Sequence, residues 1–199
     1  MLRKQGAIPF VKTNMCSGGL SSETKNLMFG SVRNPQDWKR SAGGSSGGEA
    51  CLIALGCSAG GIGTDLAGSI RIPSSACGTF GLKPTSGRFP TTAYYKRSGV
   101  PGNLTSWGPM GKSIADLELM MRAVINDEMF SMDHNLVPLP WSQDTYNDTS
   151  KLTIGYVLQE RSAVPQPSCQ ERAVRLAKEK LESLGHTLVE FEPLPVDVI

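Results

Sequence analysis

Apolar and polar positions change period several times along this chain, and each change marks a predicted element. Residues 1–6 (MLRKQG) read as the last turn of a helix closed by glycine. Ala7, Ile8, Phe10 and Val11 form a short apolar run, which predicts a buried strand over residues 7–11. Residues 13–40 carry no period and read as irregular chain, with Trp38 and Lys39 on a surface loop. A small-residue helical pattern follows over residues 45–56, with Glu49 in its first turn, where a carboxylate favours the helix dipole. Residues 60–65 read as a strand, residues 69–73 lead into a second short helix, and residues 79–82 form a buried strand ending at Lys83-Pro84.

Farther on, residues 86–107 are polar and turn-rich, and Tyr94, Tyr95 and Trp107 read as loop aromatics used in packing. Residues 108–110 together with Ile114, Leu117, Met121 and Val124 predict an amphipathic helix N-capped by Ser113. Residues 126–150, with Pro138 and Pro140, predict a loop, in which Met129, Phe130 and Met132 serve packing. The end of the chain predicts a strand–helix–strand unit over residues 151–199. A strand over 151–158 precedes a helix that opens on a Ser168-x-x-Glu171 capping box. That helix shows one apolar face of Val174, Ala177, Leu181 and Leu184 and stops at Gly185, and a strand over 187–191 follows. Alternating strands and helices place the chain in the α/β class, with an α/β/α layered arrangement.

Composition narrows the function classes. The chain has 199 residues, 39% hydrophobic and 19% charged, enough for one globular domain with a substantial core. A net charge of +2 gives no reason to expect nucleic acid or an anionic membrane as partner. The five cysteines are odd in number and contain no Cys-x-x-Cys, so they read as free thiols in a reducing, cytoplasmic compartment. No apolar run reaches spanning length, and membrane association would belong to a longer form. The sequons at Asn103 and Asn147 carry little weight without a secretion signal. No metal or other cofactor is implied, and homo-oligomerisation is left open.

The chemistry concentrates in residues 43–85, where glycine and serine crowd both ends of the helical pattern. Glycines expose backbone N–H groups to a ligand, and hydroxyls beside such donors are candidate nucleophiles. A flexible linker is a poor fit, because Leu52, Ile53, Leu55, Ile62, Leu66, Ile70 and Ile72 interrupt the stretch. A Walker cradle fails because Glu49 follows Gly48, and a dinucleotide fingerprint fails because Leu66 stands where Gly or Ala is needed. Residues 43–47 match the G-x-S-x-G elbow literally, but that arrangement needs a histidine base, and only His134 and His186 exist.

Three segments then carry a resemblance: GGSSGGE (43–49), GTDLAGSIRIP (63–73) and GLKPT (81–85), extended upstream by AIPFVKTN (7–14). Together they resemble the amidase signature family, most closely its fatty acid amide hydrolase and acetamidase branch. The resemblance implies a partial amidase signature domain over 1–199, a mixed sheet covered by helices, and a Ser–cis-Ser–Lys mechanism. It implies Ser69 as nucleophile, Ser45 after a cis peptide as the bridging serine, and the backbone N–H groups of Leu66, Ala67, Gly68 and Ser69 as oxyanion donors. Ala67 departs from the family's usual glycine and is compatible only with a φ below zero. Ser46, Asp65 and Arg71 are supporting residues. Arg71 braces the site by pairing with a carboxylate, and Asp65 either orients the glycine-rich turn or is a plain turn-former. Gly19 and Leu20 border the acyl pocket in the family, with ordinary loop packing as the alternative. Residues 108–117 resemble the family's Gly-Pro-Met…Ser-x-x-Asp-Leu segment.

The family's lysine base lies in a strand upstream of residues 7–14, and neither Lys12 nor Lys83 matches it. The sequence therefore reads as a fragment without that strand and without the C-terminal part, inactive by itself. The implied function is a serine amidohydrolase that cleaves fatty or small aliphatic amides through an acyl-serine. Two alternatives stay open: a glutaminase-like component of a transfer-RNA amidotransferase, and a catalytically dead relic or interaction module.

Overall fold

Residues 1–90, 105–133, 136–158 and 166–192 are described by the computed structural model; Tyr94, Tyr95, Asn103 and His134 lie outside them. Two compact units are present, Met1–Trp141 and Ser142–Ile199.

In the first unit, a 3-10 turn Leu2–Gln5 closes on Gly6 in the left-handed conformation, as the terminal glycine predicts. Residues 7–11 form no strand: no described strand pairs with them, and Ile8 is 85% exposed. The Ala7 N–H donates to the Leu2 C=O at 3.0 Å, but without a partner strand to bond its N–H and C=O groups an apolar run alone does not make a strand. A second 3-10 turn, Ser17–Gly19, leads into a short hairpin of β1 (Lys25–Asn26) and β2 (Gly30–Ser31).

Helix α1 (Gly47–Ala54), strand β3 (Gly60–Asp65), helix α2 (Arg71–Cys77) and strand β4 (Phe80–Gly81) then follow in the predicted order. β4 is shorter than residues 79–82 and its Phe80 is 44% exposed, so it is an edge rather than a buried strand. Residues 108–110, predicted as helix, belong instead to β5 (Ser106–Gly111), which also takes in Trp107 from the predicted loop. β5 is the central strand, antiparallel to β3 on one side and β4 on the other. Pro109 has no N–H to give a helix, yet its C=O accepts the Leu82 N–H at 3.0 Å.

Helix α3 (Ile114–Val124) starts only after a complete capping box: Ser113 Oγ accepts from the Asp116 N–H, and Asp116 accepts from the Ser113 N–H. Its Leu117, Met121 and Val124 are buried. The predicted loop after it contains two short helices, α4 (Asp127–Met132), capped by Asn126, and α5 (Gln143–Asn147), capped by Ser142. The polar residues that suggest a loop there are caps.

Two apolar clusters organise the first unit. One joins Ala42, Ala50, Ile53, Ile70, Cys77 and Met110, so it lies directly beneath the loops that carry the serines. The other joins Phe89, Met121, Val124, Ile125, Met129 and Leu136. In the second unit, β6 (Thr153–Tyr156) and β7 (Thr187–Glu190) pair in parallel across α6 (Ser168–Ser183). The predicted capping box of α6 does not form. Pro167 is the N-cap, and the Glu171 carboxylate turns to Arg175, one helical turn on. Gly185 (φ 86°) follows the helix end, as predicted. The molecule is mixed α/β, but its described strands form three small sheets rather than one large one. No described helix is long and apolar enough to cross a membrane.

Candidate active site

Two loops bring the serines together. The first, residues 43–46, ends at the N-terminus of α1, and the Gly44–Ser45 peptide is cis, at the position implied by the resemblance. The second, residues 66–70, joins β3 to α2. They meet where the Ser46 N–H donates to the Ser69 C=O at 3.1 Å. Ser46 Oγ exchanges bonds with the Thr64 backbone, accepting from its N–H at 3.3 Å and donating to its C=O at 3.4 Å. Ser46 therefore ties the first loop to β3 and to the second loop at once, a supporting role in geometric terms.

Ser45 is 1% exposed, and its Oγ has no hydrogen-bond partner among the described residues. Ser69 is half-buried, in the turn before α2. A buried hydroxyl without a partner costs roughly 1–3 kcal/mol; Ser74 Oγ and Thr79 Oγ1 share this state, and Ser45 is the one of the three that lies in the serine loops.

Asp65 builds the second loop. Its side chain is fully buried and accepts from the N–H groups of Gly68 (2.7 Å), Ile70 (3.1 Å) and Arg71 (3.3 Å). The Arg71 guanidinium closes the ring with two further bonds of 3.0 Å. Burial pushes the carboxyl up, but Arg71 and the three N–H donors outweigh it and hold its pKa down at about 2. Asp65 thus orients the glycine-rich turn, and Arg71 braces it by pairing with a carboxylate.

The same bonds alter the expected oxyanion set. The Gly68 N–H is given to Asp65, whereas those of Leu66, Ala67 and Ser69 have no acceptor among the described residues. Gly68 contributes conformation instead: its φ is 128°, and an added Cβ would lie 2.7 Å from Ile72 Cδ1. Ala67 is not at positive φ, so the departure from glycine there is harmless.

The glycine loop around Ser45 is moulded by the segment from Ser21 to Thr24. A Cβ on Gly44 would lie 2.7 Å from the Glu23 carbonyl carbon and 2.8 Å from Ser21 O, and one on Gly47 would collide with Thr24 Oγ1. Gly19 and Leu20 lie just before this segment, with Leu20 61% exposed. Gly19 has only Met15 within reach of an added Cβ, so the described contacts to the serine loop come from the residues that follow them.

Thr24 itself carries no sequence signal, since nothing distinguishes a threonine in a polar, aperiodic stretch. Glu49 accepts from Thr13 Oγ1 at 2.7 Å and packs onto Gly61. Its burial raises its pKa, and the Thr13 bond offsets part of that rise. A separate cavity at the C-terminal ends of α1 and α2, lined by Leu55, Cys77, Thr79 and Lys112 among others, contains none of the serines. Cys77 there is buried, and burial with the nearby Cys51 lifts its thiol to about 11, so it is unreactive at neutral pH.

Known proteins are similar to this chain in sequence and fold over nearly its whole length. The sequence model of the Amidase family matches residues 1–199. The chain belongs to the amidase family. It is 40% identical to the vitamin D3 hydroxylase-associated protein of Gallus gallus over 200 residues, covering 100% of this chain and 43% of that protein. It is likewise 40% identical to fatty-acid amide hydrolase 1 of Sus scrofa, over 97% of this chain and 33% of that one. A solved fatty acid amide hydrolase aligns with a TM-score of 0.87 at 33% identity, covering 99% of this chain and 35% of the other. The amidase chain thus spans less than half the length of these relatives. Its mixed α/β architecture is that of the amidase signature enzymes.

Proposed function

We propose that this chain carries the nucleophile and the relay hydroxyl of a serine amidohydrolase that cleaves fatty amides. The observation that supports the reading is the Ser46–Ser69 backbone bond, which joins the loop of Ser45, whose buried hydroxyl has no hydrogen-bond partner among the described residues, to the loop of Ser69. Ser69 attacks the amide carbonyl. Ser45 takes its proton and passes it to a base, then returns a proton to the leaving amine as the C–N bond breaks. The N–H groups of Leu66, Ala67 and Ser69 face the developing oxyanion. Water then releases the acid from the acyl-Ser69 ester by the same path.

The base is a lysine, kept neutral by burial. Among the described residues, Lys12 is exposed and the Lys83 ammonium donates to Pro84 O, so neither is placed as that base. The fatty acyl preference rests on the resemblance to fatty-acid amide hydrolase 1. A transfer-RNA amidotransferase role has no comparable support, since the solved glutamyl-tRNA(Gln) amidotransferase chain of Thermotoga maritima is 24% identical and speaks for the fold alone.

The test is fluorophosphonate labelling of the protein with its native flanking sequence, in competition with amides. The adduct is expected on Ser69 and absent in Ser69→Ala, with long-chain amides competing better than acetamide or glutamine. An adduct on Ser45 reverses the assignment, and competition by glutamine alone overturns the substrate class.

A further inference from the structure

The Ser45 side chain makes no hydrogen bond among the described residues, so nothing attached to its hydroxyl aims it. The aim comes from the backbone of residues 43–47, and one buried side chain holds that backbone from outside the loop. We propose that Thr24 is the positioning residue of the proton relay, acting through the loop that carries Ser45; this rests on the Ser69–Ser45 reading above.

Thr24 is 1% exposed. Its Oγ1 donates to the Gly43 C=O at 2.8 Å, with the Ser45 C=O as a second acceptor at 3.2 Å. The same oxygen accepts from the Gly47 N–H at 2.9 Å. One hydroxyl therefore grips the loop before, at and after the relay serine, which uses its donor and acceptor capacity together. Thr24 is itself held at both ends: its N–H donates to the Gly43 C=O at 3.1 Å, and its C=O accepts from the Val32 N–H at 2.9 Å. The fit is steric as well. Gly47 has no room for a Cβ against Thr24, and Gly44 has none against the backbone of the same segment. The far side of the loop is held independently by Ser46, through Thr64 and Ser69.

Removing the Thr24 hydroxyl would leave the Gly47 N–H and the Ser45 C=O without that partner inside the protein, and the loop would keep the Thr24 N–H bond to the Gly43 C=O before Ser45 and the Ser46 bonds after it. Displacements of about 1 Å at reacting groups can cost on the order of a hundredfold in rate. The expected signature is loss of proton transfer with little change in substrate affinity.

The experiment compares Thr24→Val, which keeps the shape, with Thr24→Ser, which keeps the hydroxyl, in the protein with its native flanking sequence. Rates are taken per titrated fluorophosphonate site, so loss of folded protein does not count as loss of rate. Thr24→Val is expected to lower kcat and the labelling rate about tenfold or more with KM nearly unchanged, and Thr24→Ser to stay within about threefold of the parent. In a Ser45→Ala background Thr24→Val should cost nothing further, because a residue acting through the relay cannot harm an absent relay. Equal rates for Thr24→Val and the parent, or a full additive loss in the Ser45→Ala background, overturn the proposal. If Thr24→Val yields no soluble protein, Thr24→Cys decides: a slower rate supports the role and the parental rate overturns it. A parental adduct anywhere but Ser69 refutes the underlying reading instead, so the two failures are distinguishable.

Discussion

Asp65 shows how one carboxylate can organise a glycine-rich turn. Its folded pKa of about 2 lies below the ordinary value of 3.8, because Arg71 and three backbone N–H groups outweigh its burial. A depressed folded value means stability that is fully present above the unfolded pKa and is lost as pH falls through about 2. A shift of this size corresponds to on the order of 2 kcal/mol at neutral pH. Asp65→Asn is therefore expected to destabilise the protein by about that amount at pH 7, with the difference shrinking between pH 4 and pH 2. Urea denaturation across that range checks it, and a pH-independent difference contradicts the account. Asp65 and Arg71 were legible in the sequence because they stand close together in one segment, and Ser45, Ser46 and Ser69 because they stand in segments that resemble the amidase signature. Thr24 was not, because its partners lie 19 to 23 positions away.

At the scale of elements, α1 begins on two glycines, Gly47 and Gly48, which are poor helix formers. Propensity alone says that Gly47→Ala should stabilise the helix by up to about 1 kcal/mol. Packing says the reverse, since the new Cβ would meet Thr24, which is buried and fixed by its own backbone bonds. Overpacking of this kind costs about 1–3 kcal/mol, so a net loss of stability is expected in Gly47→Ala, measured as a lower urea midpoint. A gain would show that the contact yields. Helix α3 was readable from its cap and its period: the capping box forms and Leu117, Met121 and Val124 are buried, whereas Ile114, predicted on the same face, is exposed. Residues 108–110 were not, because the apolar Met110 continues a helical period while Pro109 and two partner strands impose an extended backbone.

For the molecule as a whole, the two units are unequal. The first holds both apolar clusters and the serine loops. In the second, no residue described between 142 and 192 is buried, and the described strands form a single parallel pair. Parallel strands are stable when covered on both faces, and so small an element buries too little to fold alone. A polypeptide of residues 142–199 is expected to show no cooperative thermal transition by circular dichroism. A sharp transition would mean that it is self-sufficient.

What the sequence determined by itself was local: the motif that places Ser45, Ser46, Asp65, Ser69 and Arg71, the caps, and the order of most helices and strands. These depend on neighbours a few positions apart, and a linear pattern records them. Tertiary structure alone decided that residues 106–111 are a central strand and that residues 7–11 join no described strand. It also decided that Gly68 gives its N–H to Asp65, and that Thr24 clamps the loop around Ser45. Each depends on which distant backbone group arrives to share a hydrogen bond or a van der Waals surface, and periodicity along the chain carries no record of that arrival.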